Sequence, residues 1–252
     1  MLLSIMVNNF LHKSKIDRLL KTRSNLEDTR KNEEKVLFFL KNKIKSILDV
    51  GCGTGFIFEW IKKNYTECNY LGVDIDKIAI KYAKKKYNDR IFKCSSFFSI
   101  KKKFDLILLF ELFYQFKNYK KVISKLYQLS DNYISFDARV KFSGSTILDK
   151  ELSYFYYHDT GKTNHYVVHN IYEFLNFLST PKFNFDKIYL NLYKPKKITS
   201  AYLPFKKSDM LIGVFILKKG KKNIREGKKL RNKKNQFENL IVWPKKYEKF
   251  FK

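Results

Sequence analysis

From Ile47 to Val50 an apolar run carries one acid, Asp49, then gives way to Gly51-Cys52-Gly53-Thr54-Gly55 and at once to a second apolar stretch, Phe56 to Lys63. The pattern predicts strand, glycine turn and helix. Glycines there let backbone amides approach a ligand that any Cβ would hold away, and the following helix end adds an oriented dipole. A turn of this kind is only part of a signature. The next apolar segment, Tyr70 to Val73, closes on Asp74, 19 residues beyond Gly55. A carboxylate at that place can accept both hydroxyls of a ribose, so the loop and the acid together point to an adenosine-containing ligand.

The same alternation continues. Asp76 to Tyr87 predicts a helix with Asp76 as its N-cap, Arg90 to Cys94 a third strand, and Phe104 to Phe110 a fourth, apolar enough to be buried on both faces. Asn118 to Leu129 predicts a helix and Tyr133 to Asp137 a fifth strand. Upstream, Asn32 to Lys43 reads as helical. Strands returned by crossover helices make a doubly wound, mainly parallel sheet. Residues 141–166 break the rhythm with polar and aromatic residues. Tyr166 to Leu178 then predicts a helix, and Lys187 to Tyr193 with Met210 to Leu217 an antiparallel pair at one edge.

Two ligand classes fit a glycine loop with a downstream acid, and spacing separates them. The dinucleotide fingerprint requires Gly-x-Gly-x-x-Gly, whereas this chain reads Gly51-x-Gly53-x-Gly55 followed by bulky Phe56. Ile47-Leu48-Asp49-Val50-Gly51-Cys52-Gly53-Thr54-Gly55 instead resembles the first motif of class I S-adenosylmethionine-dependent methyltransferases, and Leu71-Gly72-Val73-Asp74-Ile75-Asp76 resembles their second. Phe104-Asp105-Leu106-Ile107-Leu108-Leu109-Phe110-Glu111 resembles their fourth-strand motif, so the likeness runs in order through roughly residues 35–137.

The fold expected is α/β: a doubly wound, Rossmann-like, mostly parallel seven-stranded sheet with an antiparallel edge hairpin, plus a basic C-terminal tail. The resemblance implies S-adenosylmethionine as cofactor, with Asp49, Gly51, Cys52, Gly53 and Gly55 lining its methionine half. Asp74 holds the ribose hydroxyls, Ile75 packs on adenine, and Glu111 lies beside the methyl donor. The family often ends its third strand with an acid that accepts the adenine amino group. This chain offers Cys94-Ser95-Ser96, so Ser95 takes that place with a hydroxyl that lacks a carboxylate's charge. The expected organisation is an N-terminal extension over 1–34, a methyltransferase domain over 35–217 with an insert around 141–166, and the tail over 218–252.

No residue stands out as catalytic. Displacement at a sulfonium methyl has a good leaving group, so alignment of the acceptor can supply much of the rate. His158, His165, His169 and Tyr114 are candidate proton acceptors, without diagnostic spacing. The aromatic run Tyr154-Phe155-Tyr156-Tyr157 suits packing more than base stacking. The fourth strand lacks the Asn/Asp-Pro-Pro-Tyr/Phe ending used on exocyclic base amines, since the chain reads Phe110-Glu111-Leu112-Phe113.

Charge bears on the acceptor. The net charge is +28, yet Arg supplies only 7 of the 52 basic residues. Lysine lacks the planar fork that reads phosphates and guanine bidentately, so the excess argues less for nucleic acid than its size suggests. It is concentrated in 218–252, which carries 14 Lys or Arg against 3 Glu and is expected to be solvated, although Leu240 to Pro244 is apolar enough to dock on the body. No separate RNA-binding module flanks the core. A small-molecule or metabolite acceptor ranks first, RNA second and a noncatalytic cofactor-binding scaffold third. Cys52, Cys68 and Cys94 form no CxxC pair and leave an odd count, which argues against a zinc site or disulfide framework and for a reducing cytoplasm. No apolar run approaches the length of a membrane span, and the sequence assigns no oligomeric state.

Overall fold

The computed structural model describes residues 17, 27–38, 40, 44–87, 89–157, 161–195, 201–220 and 239–251. The chain divides into two compact units, Met1–Leu108 and Leu109–Lys252.

In the first unit, helix α1 (Glu27–Phe38) precedes β1 (Ser46–Val50), α2 (Phe56–Asn64), β2 (Asn69–Asp74), α3 (Lys77–Lys86), β3 (Phe92–Cys94) and β4 (Phe104–Leu109). The four strands run parallel in the order β4-β1-β2-β3. Asp105 sets the register of β4: its Oδ2 accepts the backbone N–H groups of Lys45 and Ser46, each at 3.0 Å, while Ser46 Oγ accepts the N–H of Asp105 at 2.9 Å. Ile47 therefore lies opposite Leu106 and Asp49 opposite Leu108. Ile47, Leu48, Leu106 and Ile107 are fully buried, as the unbroken apolar runs of both strands require. Helix α1 starts five residues before the expected Asn32. Leu37 anchors its last turn in the core, its carbonyl accepting the Tyr65 hydroxyl at 2.5 Å.

The second unit opens with α4 (Tyr119–Leu129), capped by the Asn118 side chain, followed by β5 (Ser130–Lys141). A hairpin of β6 (Tyr154–Tyr157) and β7 (Lys162–His165) leads into β8 (Val168–Asn170) and α5 (Ile171–Leu178). Then come β9 (Phe185–Tyr193), β10 (Ala201–Tyr202), β11 (Leu211–Lys219) and β12 (Leu240–Trp243). The expected edge pair is present: β11 lies antiparallel to both β9 and β5. The long pairing with β11 carries β5 to Lys141, four residues past the expected end.

Three differences from the sequence expectation have local causes. The helix expected from Tyr166 begins only at Ile171, because Asn170 caps it by accepting the N–H groups of Tyr172 and Glu173, and β-branched Val168 lies in a strand parallel to β5. The 141–166 segment is not irregular throughout: β6 and β7 join β10 in a separate three-stranded sheet whose Phe155 packs toward Tyr114, Tyr166 and Met210. Leu240–Trp243 pairs in parallel with β9, and Phe250 stacks on Phe142 at 4.4 Å. β8 and β12 are thus strands beyond the seven expected. Of the solvated tail expected over 218–252, residues 221–238 and 252 lie outside the described residues.

Candidate functional site

The glycine loop leaves β1 at the end where open α/β sheets bind ligands. Its three glycines all have positive φ, at 74°, 53° and 78° for Gly51, Gly53 and Gly55. Two of them serve opposite ends. A Cβ on Gly55 would come within 2.7 Å of the Tyr87 ring and 2.9 Å of the Phe92 ring, so this glycine lets the start of α2 seat against side chains. A Cβ on Gly53 would meet nothing within 4 Å. Its left-handed backbone faces open space, a cradle that a side chain would fill.

Asp74 closes that cradle. Its Oδ2 accepts the Gly53 N–H at 2.9 Å and its Oδ1 accepts the Asp76 N–H at 2.8 Å, so the carboxylate is fixed while each oxygen keeps a further lone pair. The Val73 carbonyl accepts the N–H groups of Gly51 and Cys52 at 2.8 and 3.2 Å, tying the loop to β2. Asp76 caps α3 as expected, accepting the N–H groups of Ile78 and Ala79.

The neighbouring candidates fall as follows. Ile75 is 77% exposed, which leaves its aliphatic side chain open as an apolar platform for a flat ring. The Ser95 N–H bonds to the Asp74 carbonyl at 2.8 Å, which brings Ser95 to the same edge, and its hydroxyl contacts Ser99 Oγ at 2.8 Å. Asp49 is buried, and its Oδ2 accepts the Tyr70 hydroxyl at 2.6 Å; burial and this neighbouring acid push the Tyr70 hydroxyl well above the usual phenol range. Cys52 is buried within the loop. Asp49, the glycine loop, Asp74, Ile75 and Ser95 are therefore assembled at one edge of the first unit. The open face at Gly53, the acceptor capacity of Asp74 and the exposed Ile75 fit an adenosyl cofactor.

Glu111 belongs to the second unit and to a buried polar cluster. Its backbone has φ 54°, the only positive φ outside glycine among the described residues. The Glu111 N–H donates to Asp137 Oδ1 at 2.5 Å, and Glu111 Oε2 accepts from Arg139 Nη2 at 2.7 Å. Arg139 Nη1 also donates to Asp137 Oδ2, its Nε to the Tyr166 hydroxyl at 3.2 Å, and its guanidinium lies 4.3 Å from the centre of the Tyr114 ring. Burial, then the like charge of Glu111, raises the Asp137 carboxyl to about 6 despite Arg139. Sequence inspection marked Asp137 only as a strand end and passed over Arg139; an Asp-x-Arg pair on one face of an apolar strand is the signal that was available.

Among the candidate proton acceptors, His169 is fully buried between Phe113, Tyr119 and Phe174. Neither ring nitrogen has a partner among the described residues, and burial lowers the imidazole to about 3. A neutral, enclosed ring of this kind is core packing, not a base. His165 is partly buried in β7, and His158 lies outside the described residues. Tyr114 is buried, with burial raising its hydroxyl above the usual range. No helix among the described residues is long and apolar enough to cross a membrane.

Known proteins resemble this chain over the motif region. Residues 48–131 match the family model described as a methyltransferase domain. The malonyl-[acyl-carrier protein] O-methyltransferase of Priestia megaterium is 31% identical over 134 residues, covering 49% of this chain and 48% of that protein. A putative methyltransferase of Invertebrate iridescent virus 6 is 33% identical over 98 residues, covering 34% and 37%. The match thus spans about half or less of either relative's length. Among solved structures, an O-methyltransferase from a trans-AT PKS multienzyme of Brevibacillus brevis, in complex with S-adenosyl-L-homocysteine, superposes with a TM-score of 0.53 at 13% identity over 75% of this chain and 72% of that one. This last likeness shows the fold, a Rossmann-like mixed α/β sheet. The glycine loop and Asp74 lie within the stretch of this chain that matches a methyltransferase domain.

Proposed function

We propose that this chain is an S-adenosylmethionine-dependent methyltransferase whose acceptor is a small molecule or metabolite. The observation that carries the reading is the Gly53–Asp74 pairing: an open left-handed glycine whose N–H is held by a carboxylate with acceptor capacity to spare. Asp49 and the Gly51 to Gly55 loop would line the methionine half of the cofactor. Asp74 would accept the ribose hydroxyls, Ile75 would cover adenine, and Ser95 would meet the adenine edge. The bound cofactor supplies an electrophilic methyl group on a sulfonium. A small acceptor is supported by the names of the Priestia and Brevibacillus proteins, an acyl-carrier-protein malonyl O-methyltransferase and a polyketide-synthase O-methyltransferase.

Calorimetric titration with S-adenosylmethionine, S-adenosylhomocysteine and NAD tests the assignment. Saturable binding of the first two and none of NAD is expected. Asp74→Ala should weaken that binding by about tenfold or more, the loss of hydrogen bonds to a charged acceptor. Gly53→Val should abolish it by filling the cradle. NAD binding alone, or full affinity in Gly53→Val, would overturn the assignment. A stable protein that binds none of the three would overturn the cofactor assignment and the cofactor-binding scaffold alike. With binding established, a methyl-acceptor screen over metabolites and RNA tests the acceptor class.

A further inference from the structure

We propose that Lys141, to which the cofactor reading gives no role, holds the carboxylate of a small organic acid whose apolar body lies against the Phe205 ring. Lys141 ends β5 and is 8% exposed, the only buried lysine among the described residues. Its ammonium donates to the Ser143 carbonyl at 2.8 Å and lies 5.6 Å from the centre of the Phe205 ring. A Cβ on Gly144, which has φ 64°, would stand 3.0 Å from the same nitrogen, so the backbone after β5 runs close beside the ammonium.

Arg139 and Lys141 are the buried cations among the described residues, and the chain treats them differently. Arg139 is answered by the carboxylates of Glu111 and Asp137. Lys141, two residues along the strand, forms no ion pair among the described residues. The charge of Glu173 favours its proton, but Glu173 Oε2 is occupied by the N–H and hydroxyl of Thr146 at 3.0 and 2.6 Å. Burial outweighs that charge and lowers the ammonium below the usual lysine range. A buried charge without a counter-ion is costly. An ammonium also has three donors, of which the Ser143 carbonyl takes one.

An anion brought by a ligand would meet both needs. One positive charge balances a carboxylate, whereas a phosphate monoester brings up to about two negative charges. Arg139 cannot supply the second cation, being committed to two carboxylates and Tyr166. Phe205 is partly buried against the cluster that contains Leu203 and Met210, which makes an apolar wall beside the ammonium. A ligand with an apolar body gains by leaving water there.

Benzoate, its uncharged counterpart benzamide and phenyl phosphate are the probes. Acetylation of Lys141 by acetic anhydride, read by mass spectrometry, reports on the site itself, with exposed Lys206 and Lys207 as internal references. In calorimetry the wild-type protein should bind benzoate about tenfold or more tightly than benzamide, as a charge-assisted bond predicts. Benzoate at about ten times its dissociation constant should slow acetylation of Lys141 about tenfold and leave Lys206 and Lys207 unchanged. Lys141→Met, which keeps an apolar stem and removes the charge, should reduce benzoate to the affinity of benzamide. Undetectable benzoate binding, equal protection by benzoate and benzamide, or equal protection of all three lysines would overturn the proposal, and each is read on wild-type protein even if the variant does not fold. Unchanged benzoate affinity in folded Lys141→Met would overturn it as well. Tighter binding of phenyl phosphate than of benzoate would overturn the choice of a carboxylate.

Discussion

The glycine loop and the Glu111 turn impose the same left-handed backbone on the chain and support it by different means. In the loop, the residue type removes the steric penalty: Gly51, Gly53 and Gly55 have no Cβ, and the cost is borne as lost chain entropy. At Glu111 the side chain remains, and the conformation is held by a web in which one guanidinium serves two carboxylates in a buried setting. The first device depends on an absence and tolerates a ligand of varied shape. The second depends on complete pairing and responds sharply to any missing partner.

The largest expected effect breaks the second device. Arg139→Met would leave Glu111 and Asp137 buried without their cation and should destabilise the protein by roughly 3–5 kcal/mol. Urea denaturation at neutral pH measures this, and a loss below about 1 kcal/mol would show that the web is not what holds Glu111. A second prediction separates the two loop glycines. Gly55→Ala meets both positive φ and the Tyr87 and Phe92 rings, so its cost should reach about 2–4 kcal/mol. Gly53→Ala meets only the backbone penalty and should cost about 1 kcal/mol. Equal losses in melting experiments would mean that the loop is a structural turn without a ligand-facing side.

The smallest effect concerns His169, a buried titratable group with no pairing to lose. Its folded pKa, about 3, lies below the unfolded 6.5, so the folded state binds fewer protons as the pH falls through that window. His169 should therefore draw stability from wild-type protein by on the order of 1 kcal/mol per pH unit at most below 6.5. Asp137 shifts the other way: its raised folded pKa makes acid favourable to the folded state between about 6 and its unfolded value near 4. Comparison with His169→Leu cancels that shared contribution. The stability advantage of the variant should widen on acidification from pH 6.5 toward 3, and a pH-independent difference would contradict the neutral, enclosed imidazole.

The loop was legible because its signal is local. Glycine spacing, the acid nineteen residues on and the N-cap Asp76 each declare a backbone state within a few residues, and β1, β2, α3 and β4 followed the apolar runs that specify them. The pairing of Arg139 with Glu111 was not legible, since it joins residues 28 apart through a turn whose left-handed φ falls on a residue that seldom adopts it. β8 escaped for a different reason: Val168-His169-Asn170 is too short to show a period of two, and the strong apolar helix pattern beyond it absorbed it. Ser95 was found by position within a motif, while its hydroxyl contact with Ser99 depends on a 3₁₀ turn that the loop composition did not announce. His169 offered no cue at all, because an imidazole in an aromatic cage reads in sequence like any exposed histidine.

Asp74 spends one oxygen on Gly53 and the other on Asp76, which makes the same carboxylate the keystone of the cradle and the proposed reader of the ribose. Recognition and scaffold are therefore not separable variables at this position. A lineage that tried to exchange its adenosyl ligand for one lacking those hydroxyls by altering residue 74 would also release the loop and the entry to α3, so intermediates along that route would lose their shape before acquiring a new preference. Change of cofactor would have to begin elsewhere, at Ile75 or Ser95, where side chains can be replaced without unfastening the backbone behind them.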